Sequence, residues 1–226
     1  MAAYGGPRES ADHWPGIAAI GPHTKKRSVY APQRRSLAVV LSRSQFRGRI
    51  AHVDPTRLVF ADKFGIDLAM TPLYGRAPRG ERAVGYSPLR GLHFNLVFGL
   101  ALRGIVAPLL YGGTTTAAFF TAYTRHCLVP ALRPDELVVF DHHAAHSPAS
   151  VAILRRNGGH VWSLPKYSPD LSPIEFCGSK LKDSVRRAEP RTLDALVDAV
   201  RMALALVTPP DIVGWFQHCG IRARSF

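Results

Sequence analysis

The sequence predicts an α/β protein in which a mixed sheet is covered by helices. Short, uncharged apolar runs typical of buried strands alternate with longer segments whose apolar residues recur at helical spacing. The chain has 226 residues, 46% of them hydrophobic, which is enough for one sizeable core. No apolar run approaches the roughly 18 residues of a membrane span. No signal-peptide core precedes the first charges, so we predict a cytoplasmic protein without a membrane partner.

The first half of the chain predicts three strands and a helix. Residues 57–61 (RLVFA) form a short apolar run that favours a strand ending at Asp62. Two longer apolar runs, residues 93–102 and 105–111, are separated by a turn and predict a β-hairpin. Residues 115–132 are long and periodic enough for a helix.

The second half predicts two further strands and three helices. Residues 137–140 (LVVF) read as a buried strand that stops at Asp141. A helix over 147–157 should follow and end at Gly158-Gly159, because helices commonly end at glycine. Residues 160–163 predict a strand. A helix is predicted from Pro173 to about residue 187, and an amphipathic helix over 193–207.

Charge is the strongest bulk signal in the composition. The net charge is +13 and the isoelectric point is near 10.3, which favours a polyanionic partner, nucleic acid first. Residues 1–50 hold nine Lys and Arg against two Asp and Glu, and they show no complete helix-turn-helix. We predict an extended or partly disordered basic arm there. The three cysteines lie far apart, which argues against a disulfide framework or zinc finger.

Three carboxylates stand at the ends of predicted elements. Asp62 and Asp141 each follow a strand, and Glu175 lies in the first turn of a helix. If the two strands are parallel neighbours, the aspartates emerge side by side at the ligand-binding edge of the sheet. Carboxylates brought so close repel unless a cation neutralises them, and Mg²⁺ suits that role. The alternatives are ordinary: strand-end aspartates form turns, and Ser172 with Glu175 also fits a helix capping box.

Two distinctive motifs surround these carboxylates. They are VFDHHAAH (residues 139–146) and LPKYSPDLSPIE (residues 164–175), whose Tyr-Ser-Pro and Pro-Ile-Glu pattern is highly specific. Both motifs resemble those of the DDE transposases, and of the mariner-like bacterial insertion-sequence transposases in particular. LVFAD (58–62) and LYGRAPRG (73–80) fit the stretch around the family's first aspartate. The resemblance covers about residues 57–220.

The resemblance implies a ribonuclease H-like fold over residues 51–226 and a catalytic triad of Asp62, Asp141 and Glu175 that binds two Mg²⁺ or Mn²⁺ ions. It implies strand cleavage and 3′-hydroxyl transfer at transposon ends. The partners would be the inverted repeats and target DNA, with a homo-oligomer assembled on them, and the location would be the bacterial nucleoid. Pro169 and Pro173 would stiffen the loop that delivers Glu175.

Other candidate residues surround this triad. The candidate phosphate contacts are Arg76, Arg79, Lys166, Lys180, Lys182 and Arg186, and the candidate supporting residues are His146, Tyr167, Ser172 and Pro173. The family usually has Glu where Lys63 stands, Asn where His142 stands and Asn where Ser172 stands. A non-catalytic DNA-binding remnant of a decayed mobile element is therefore an alternative, and a nuclease or resolvase on the same fold is another.

Overall fold

A mixed five-stranded sheet forms the centre of the computed structural model, which describes residues 31–89, 91–141 and 148–222. The strand order is β3-β2-β1-β4-β5. The strands are β1 (Leu58–Asp67), β2 (His93–Ala101), β3 (Gly104–Gly112), β4 (Leu137–Phe140) and β5 (His160–Ser163). β2 is antiparallel to both of its neighbours, β1 and β3, whereas β1, β4 and β5 run parallel. The predicted α/β class and the predicted hairpin are confirmed.

Seven helices accompany the sheet within the described residues. They are α1 (Leu37–Ile50), α2 (Ala117–Tyr123), α3 (Val129–Ala131), α4 (Pro148–Arg156), α5 (Pro173–Ala188), α6 (Leu193–Ala205) and α7 (Pro209–His218). A π-helical turn, Thr124–Leu128, joins α2 to α3 without a break, so the helix predicted over 115–132 is present as one continuous helical stretch. None of the described helices is both long and apolar enough to cross a membrane.

Two hydrophobic clusters cover the two faces of the sheet. Strand side chains alternate between the faces, so Phe60 and Phe64 of β1 join the cluster under α1, α5, α6 and α7. Val59 and Ala61 join the opposite cluster, under α2 and α4. Even-numbered residues of β1 therefore face α1, α5, α6 and α7, and odd-numbered residues face α2 and α4.

Helix α1 differs from the extended arm that we predicted for residues 1–50. Its Phe46 and Ile50 are buried in the core, and its Arg43 is only 8% exposed. The prediction failed because the apolar run at the start of this helix is largely exposed and an arginine takes one of its three buried positions, which hides its amphipathic pattern. The rest of that prediction concerns residues 1–30, which lie outside the described residues. Helix α7 was not predicted either.

Candidate active site

Asp62 and Asp141 come from neighbouring parallel strands. The parallel pairing of β1 with β4 ends with Ala61 opposite Phe140, and the two aspartates are the next residues along their strands. They therefore emerge together at the carboxyl edge of the parallel strands, where α/β sheets bind ligands. The prediction that β1 stops at Asp62 is wrong, because β1 continues to Asp67 in antiparallel pairing with β2.

The alternation of side chains along β1 directs Asp62 toward helix α5. Residues 60 and 64 of the same strand are both buried in the cluster beneath α5, and Asp62 lies midway between them. Lys63 is exposed, and its strand position points to the opposite face of the sheet. The Asp62 carboxylate and the Lys63 ammonium therefore lie on opposite faces of the sheet.

Glu175 reaches the same place from the first turn of α5. The helix lies directly against β1, since a Cβ added to Gly178 would come within 2.1 Å of the Phe64 ring. Glu175 is three residues before Gly178, so the two share a helical stripe that faces β1. The side chain of Ser172 makes no hydrogen bond that caps the described helix, so the capping box considered as an alternative role for Ser172 and Glu175 does not form.

The charges of the three carboxylates are coupled. Burial raises the pKa of Asp62 to about 7, and the nearby Asp141 and Glu175 carboxylates add to the rise, although the Lys63 backbone N–H donates to its Oδ1 at 2.7 Å and opposes it. Burial also raises the pKa of Glu175; the Lys182 ammonium counteracts this effect and Asp141 reinforces it. The three carboxylates therefore repel one another, and because they are partly buried, water screens this repulsion only in part.

The donor chemistry fits a hard divalent cation. Three partly buried carboxylates with excess negative charge are the ligands that Mg²⁺ and Mn²⁺ prefer, and a cation would relieve their repulsion. Across residues 31–89, 91–141 and 148–222, however, no three acidic, histidine or cysteine side chains are gathered closely enough to form a finished coordination site. The carboxylates match a metal in charge and ligand type, while their spacing leaves the site open.

A cavity of about 400 Å³ opens beside two of the carboxylates. One wall of the cavity is the segment 164–172, which we call the site loop. The cavity is lined by Asp141, Leu164, Pro165, Lys166, Tyr167, Ser168, Pro169, Ser172 and Glu175. A larger cavity of about 540 Å³, between the β2–β3 hairpin and α6, is lined almost wholly by apolar side chains. Chemistry on a charged substrate therefore belongs to the smaller cavity.

The predicted phosphate contacts divide into those near the carboxylates and those away from them. Lys182 lies near Glu175, and its ammonium is 5.3 Å from the centre of the Phe64 ring. Lys166 is exposed at the cavity rim. Lys180 forms an ion pair of 2.6 Å with Asp211 of α7, which gives it a structural role.

Three further predicted contacts lie outside the cavity. Arg76 and Arg79 are exposed on the segment between β1 and β2. Arg186 is half-buried in the last turn of α5, about 16 Å along the helix from Glu175. These three arginines do not line the cavity beside the carboxylates.

The predicted supporting residues are placed unevenly. Tyr167 is 43% exposed on the cavity, and its backbone is left-handed, with φ +56°, which is unfavourable for a non-glycine residue. The hydroxyl of Ser168 donates to the Lys166 carbonyl at 3.0 Å and closes this turn. Ser172 and Pro173 are buried at the start of α5. His146 lies outside the described residues.

Sequence reasoning missed two residues that build the site. Gly178 lets α5 approach β1, and its signal was an isolated glycine inside a helical pattern, which often marks close packing. Arg43 binds Asp170 of the site loop through two hydrogen bonds. No local signal identifies Arg43, because its partner is 127 positions away in the chain.

Comparison with known proteins places this geometry in a family. A family model described as DDE superfamily endonuclease matches residues 57–197, which is more than half of the chain. No curated protein sequence matches this chain.

Solved structures of Mos1 mariner transposase are similar in fold. The paired-end complex with Mg is 16% identical, with a TM-score of 0.71, and the match covers 89% of this chain and 65% of that one. The strand transfer complex is 16% identical, with a TM-score of 0.66, covering 88% and 62%. The isolated catalytic domain is 14% identical, with a TM-score of 0.58, covering 88% and 91%. The predicted ribonuclease H-like fold is confirmed, and this chain spans less than two thirds of the length of the chains in those two complexes.

Proposed function

This chain belongs to the DDE superfamily of endonucleases, and we propose that it is the catalytic domain of a transposase that cuts and joins DNA at transposon ends. One observation carries the proposal. Residues 62, 141 and 175, distant in sequence, bring their carboxylates to one sheet edge, where their charges are coupled. The neighbours in fold are Mos1 transposase structures, some of them paired-end and strand transfer complexes.

Asp62, Asp141 and Glu175 would hold the divalent metal. When bound, Mg²⁺ or Mn²⁺ activates the attacking hydroxyl and stabilises the leaving oxygen of a phosphodiester. Glu175 is kept closer to its charged form by the Lys182 ammonium, which opposes the effect of burial on its pKa. The same ammonium would bind a phosphate oxygen, and Lys166, which lies at the cavity rim, would bind another.

Cleavage and joining are two displacements at phosphorus. In the first, water attacks and the bond from phosphorus to the 3′ oxygen breaks, which leaves a 3′-hydroxyl on the transposon end. In the second, that hydroxyl attacks a target phosphodiester, a new bond from oxygen to phosphorus forms, and the target's 3′ oxygen leaves. The left-handed turn at Tyr167 and the two prolines of the site loop hold the cavity wall in one shape for both steps.

The remaining assignments follow from this activity. The substrates would be transposon inverted repeats and target DNA, recognised by a homo-oligomer that joins two ends. Such an enzyme would work in the cytoplasm of a bacterium, on the nucleoid. The catalytic domain that we predicted over residues 51–226 would also include α1, which packs into the same core. The basic residues within 1–30 would bind DNA phosphates without reading sequence.

A nicking assay tests the proposal. Wild-type protein with Mn²⁺ should cut a duplex that carries the element's terminal repeat, and Asp141→Asn should cut at least a hundredfold more slowly. Calorimetry should show Mn²⁺ binding that is lost in Asp62→Ala. If the protein binds DNA equally well with and without Mn²⁺ and Asp141→Asn nicks like wild type, the chain is a non-catalytic remnant. Preferential cutting of branched DNA would instead indicate a resolvase.

A further inference from the structure

Asp170 of the site loop is bound by arginines from the N-terminal part of the described chain. Arg43 of α1 donates from Nη1 and Nη2 to the two carboxylate oxygens at 2.9 and 2.7 Å. Arg34 donates to Oδ2 at 2.9 Å, and Arg47 lies 3.7 Å away. These arginines precede residue 57, where the match to the endonuclease family begins. A segment outside the family match therefore reaches the loop that carries the site.

The Arg43 pair has the geometry of a strong ion pair. Two parallel hydrogen bonds to one carboxylate add directional specificity to charge attraction. The Arg43 side chain is 10% exposed and the Asp170 side chain 29%, so solvent screens the pair less than a surface bridge. Burial by itself raises the pKa of Asp170, but the Arg43 hydrogen bonds and charge, with the Arg34 charge, lower it overall. Asp170 is therefore held in its ionised form.

Helix α1 is a firm anchor for this pair. Its Phe46 packs edge-on against Trp162 of β5, with ring centres 6.4 Å apart, and the Arg49 guanidinium lies 4.1 Å from the centre of the same ring. Phe46 and Ile50 are buried in the main core cluster. Arg43 thus extends from an element already fixed to the sheet.

Asp170 is close in sequence to Glu175 and joined to it by stiff chain. It lies in the 3₁₀ turn Pro169–Leu171, which leads directly to Ser172 and the start of α5. Pro169 precedes Asp170 and Pro173 opens α5. These two prolines restrict the backbone, so a shift at Asp170 is passed on to the first turn of the helix. We infer that Arg43 is a positioning residue, which fixes Asp170 and thereby sets where α5 begins and where Glu175 faces the two aspartates.

This inference rests on the proposed function, because Glu175 must act for its position to matter. It also adds a dependence that the family match does not contain. Helix α1 becomes part of the active site without touching the substrate. Loss of the ion pair between Arg43 and Asp170 should therefore disable the site while the sheet stays folded.

The test compares Arg43→Gln with Arg103→Gln. Arg103 is a matched control, since it also donates two hydrogen bonds to one buried carboxylate, that of Glu136, at 3.0 and 3.1 Å. Glu136 directly precedes β4, so this ion pair lies at the opposite end of the strand from Asp141. Amide hydrogen exchange is measured in metal-free protein, and Mn²⁺ affinity by calorimetry. Arg43→Gln should speed exchange across residues 166–175 at least tenfold and weaken Mn²⁺ binding tenfold or more. Arg103→Gln should lower the melting temperature without either effect.

A second variant guards against a loss of folding. Asp170→Asn removes the charge with little change in shape and should reproduce both effects, and the double variant should be no worse than either single one, because residues that act as one pair are not additive. Unchanged exchange over 166–175 in Asp170→Asn, or equal changes in Arg103→Gln, would overturn the inference. Wild-type protein that binds no Mn²⁺ would contradict the proposed function instead, and the exchange data would still decide whether Arg43 positions the loop.

Discussion

At the scale of single residues, the protonation of Asp62 gives the candidate site a pH dependence. Burial, and then the neighbouring carboxylates, raise the pKa of Asp62 from its ordinary 3.8 to about 7. Between these values the folded protein binds a proton that the unfolded chain has released. Raising the pH through this window therefore lowers the free energy of unfolding of the metal-free protein, and the loss is complete above pH 7.

The first prediction compares wild type with Asp62→Asn in the presence of a chelator. From pH 5 to pH 8 the melting temperature of wild type should fall by on the order of 5 °C more than that of the variant, which cannot ionise at this position. Adding Mn²⁺ at pH 8 should restore wild type alone. Calorimetric scans at each pH measure this difference. If the melting temperatures of the two proteins changed in parallel with pH, the pKa of Asp62 would not be raised by its surroundings.

The second prediction concerns Lys63, which stands where the family usually has an acid. Its strand position points away from the face that Asp62 shares with α5, and its side chain is exposed. Lys63→Glu should therefore change Mn²⁺ affinity less than threefold. Lys182→Glu is the control that should change it more. The Lys182 charge is the largest charge effect on the pKa of Glu175, whereas the Lys63 charge is the smallest of the effects on the pKa of Asp62. A tightening of tenfold in Lys63→Glu, about 1.4 kcal/mol, would place the ammonium in the site and mark this copy as weakened.

Residue identity in the site was largely predictable, whereas residue role was less so. Three carboxylates and a proline-rich loop are local features, and a short motif is enough to single them out. Lys180 looked equivalent to Lys182, but an aspartate 31 positions away takes it into an ion pair. Pairings of that kind depend on how helices dock, which the sequence of one helix does not reveal.

At the scale of elements, the contact between α5 and β1 sets the distance between the carboxylates. Gly178 lies against the Phe64 ring, two residues along β1 from Asp62. Gly178→Ala should destabilise the protein by about 1–3 kcal/mol, because the added methyl overpacks a full core. It should also weaken Mn²⁺ binding, since α5 carries Glu175 away as it moves. Denaturant unfolding and calorimetry measure the two effects.

Gly214 provides the matched control for this third prediction. It lies inside α7, and a Cβ there would have no neighbour within 4 Å. Gly214→Ala should therefore stabilise the protein by about 0.5–1 kcal/mol through helix propensity alone. The opposite signs separate packing from propensity. Equal effects from the two substitutions would mean that α5 does not press on β1.

Two of the elements that sequence analysis missed or ended too early, α1 and β1, share a physical cause. Strand β1 was ended too early because Asp62 and Lys63 interrupt its apolar run, although pairing with β2 carries it on to Asp67. Helix α1 was missed because a buried arginine takes the place of an apolar residue. Tertiary contacts override local pattern in both cases. Both misses lie at the candidate site, where polar residues are retained for reasons other than stability.

At the scale of the whole molecule, the sheet and its surrounding charge have separate tasks. The order β3-β2-β1-β4-β5 puts β1 at the centre, with an antiparallel hairpin on one side and parallel strands on the other. The aspartates emerge where the parallel pairing ends, and α5 closes the site from one face. Local sequence patterns predict the elements, but the meeting of residues 62, 141 and 175 depends on this order.

The fourth prediction concerns the basic residues near the N-terminus. Residues 1–30 contain Arg8, Lys25, Lys26 and Arg27 against two acids, Glu9 and Asp12. If these cations bind phosphates only, replacing all four with Gln should weaken binding equally for every DNA sequence. The slope of log affinity against log salt should become shallower by about 0.9 for each phosphate that the variant no longer neutralises.

Arg187 and Arg201 serve as the control for that experiment, since each already pairs with an aspartate of its own helix, at 2.6 and 2.7 Å. Their replacement by Gln should leave the salt slope almost unchanged. Fluorescence anisotropy across a salt series, with a terminal-repeat duplex and a scrambled duplex, measures both variants. A loss of affinity confined to the repeat would mean that the N-terminal residues read bases, and the proposal that they act through phosphates alone would be wrong.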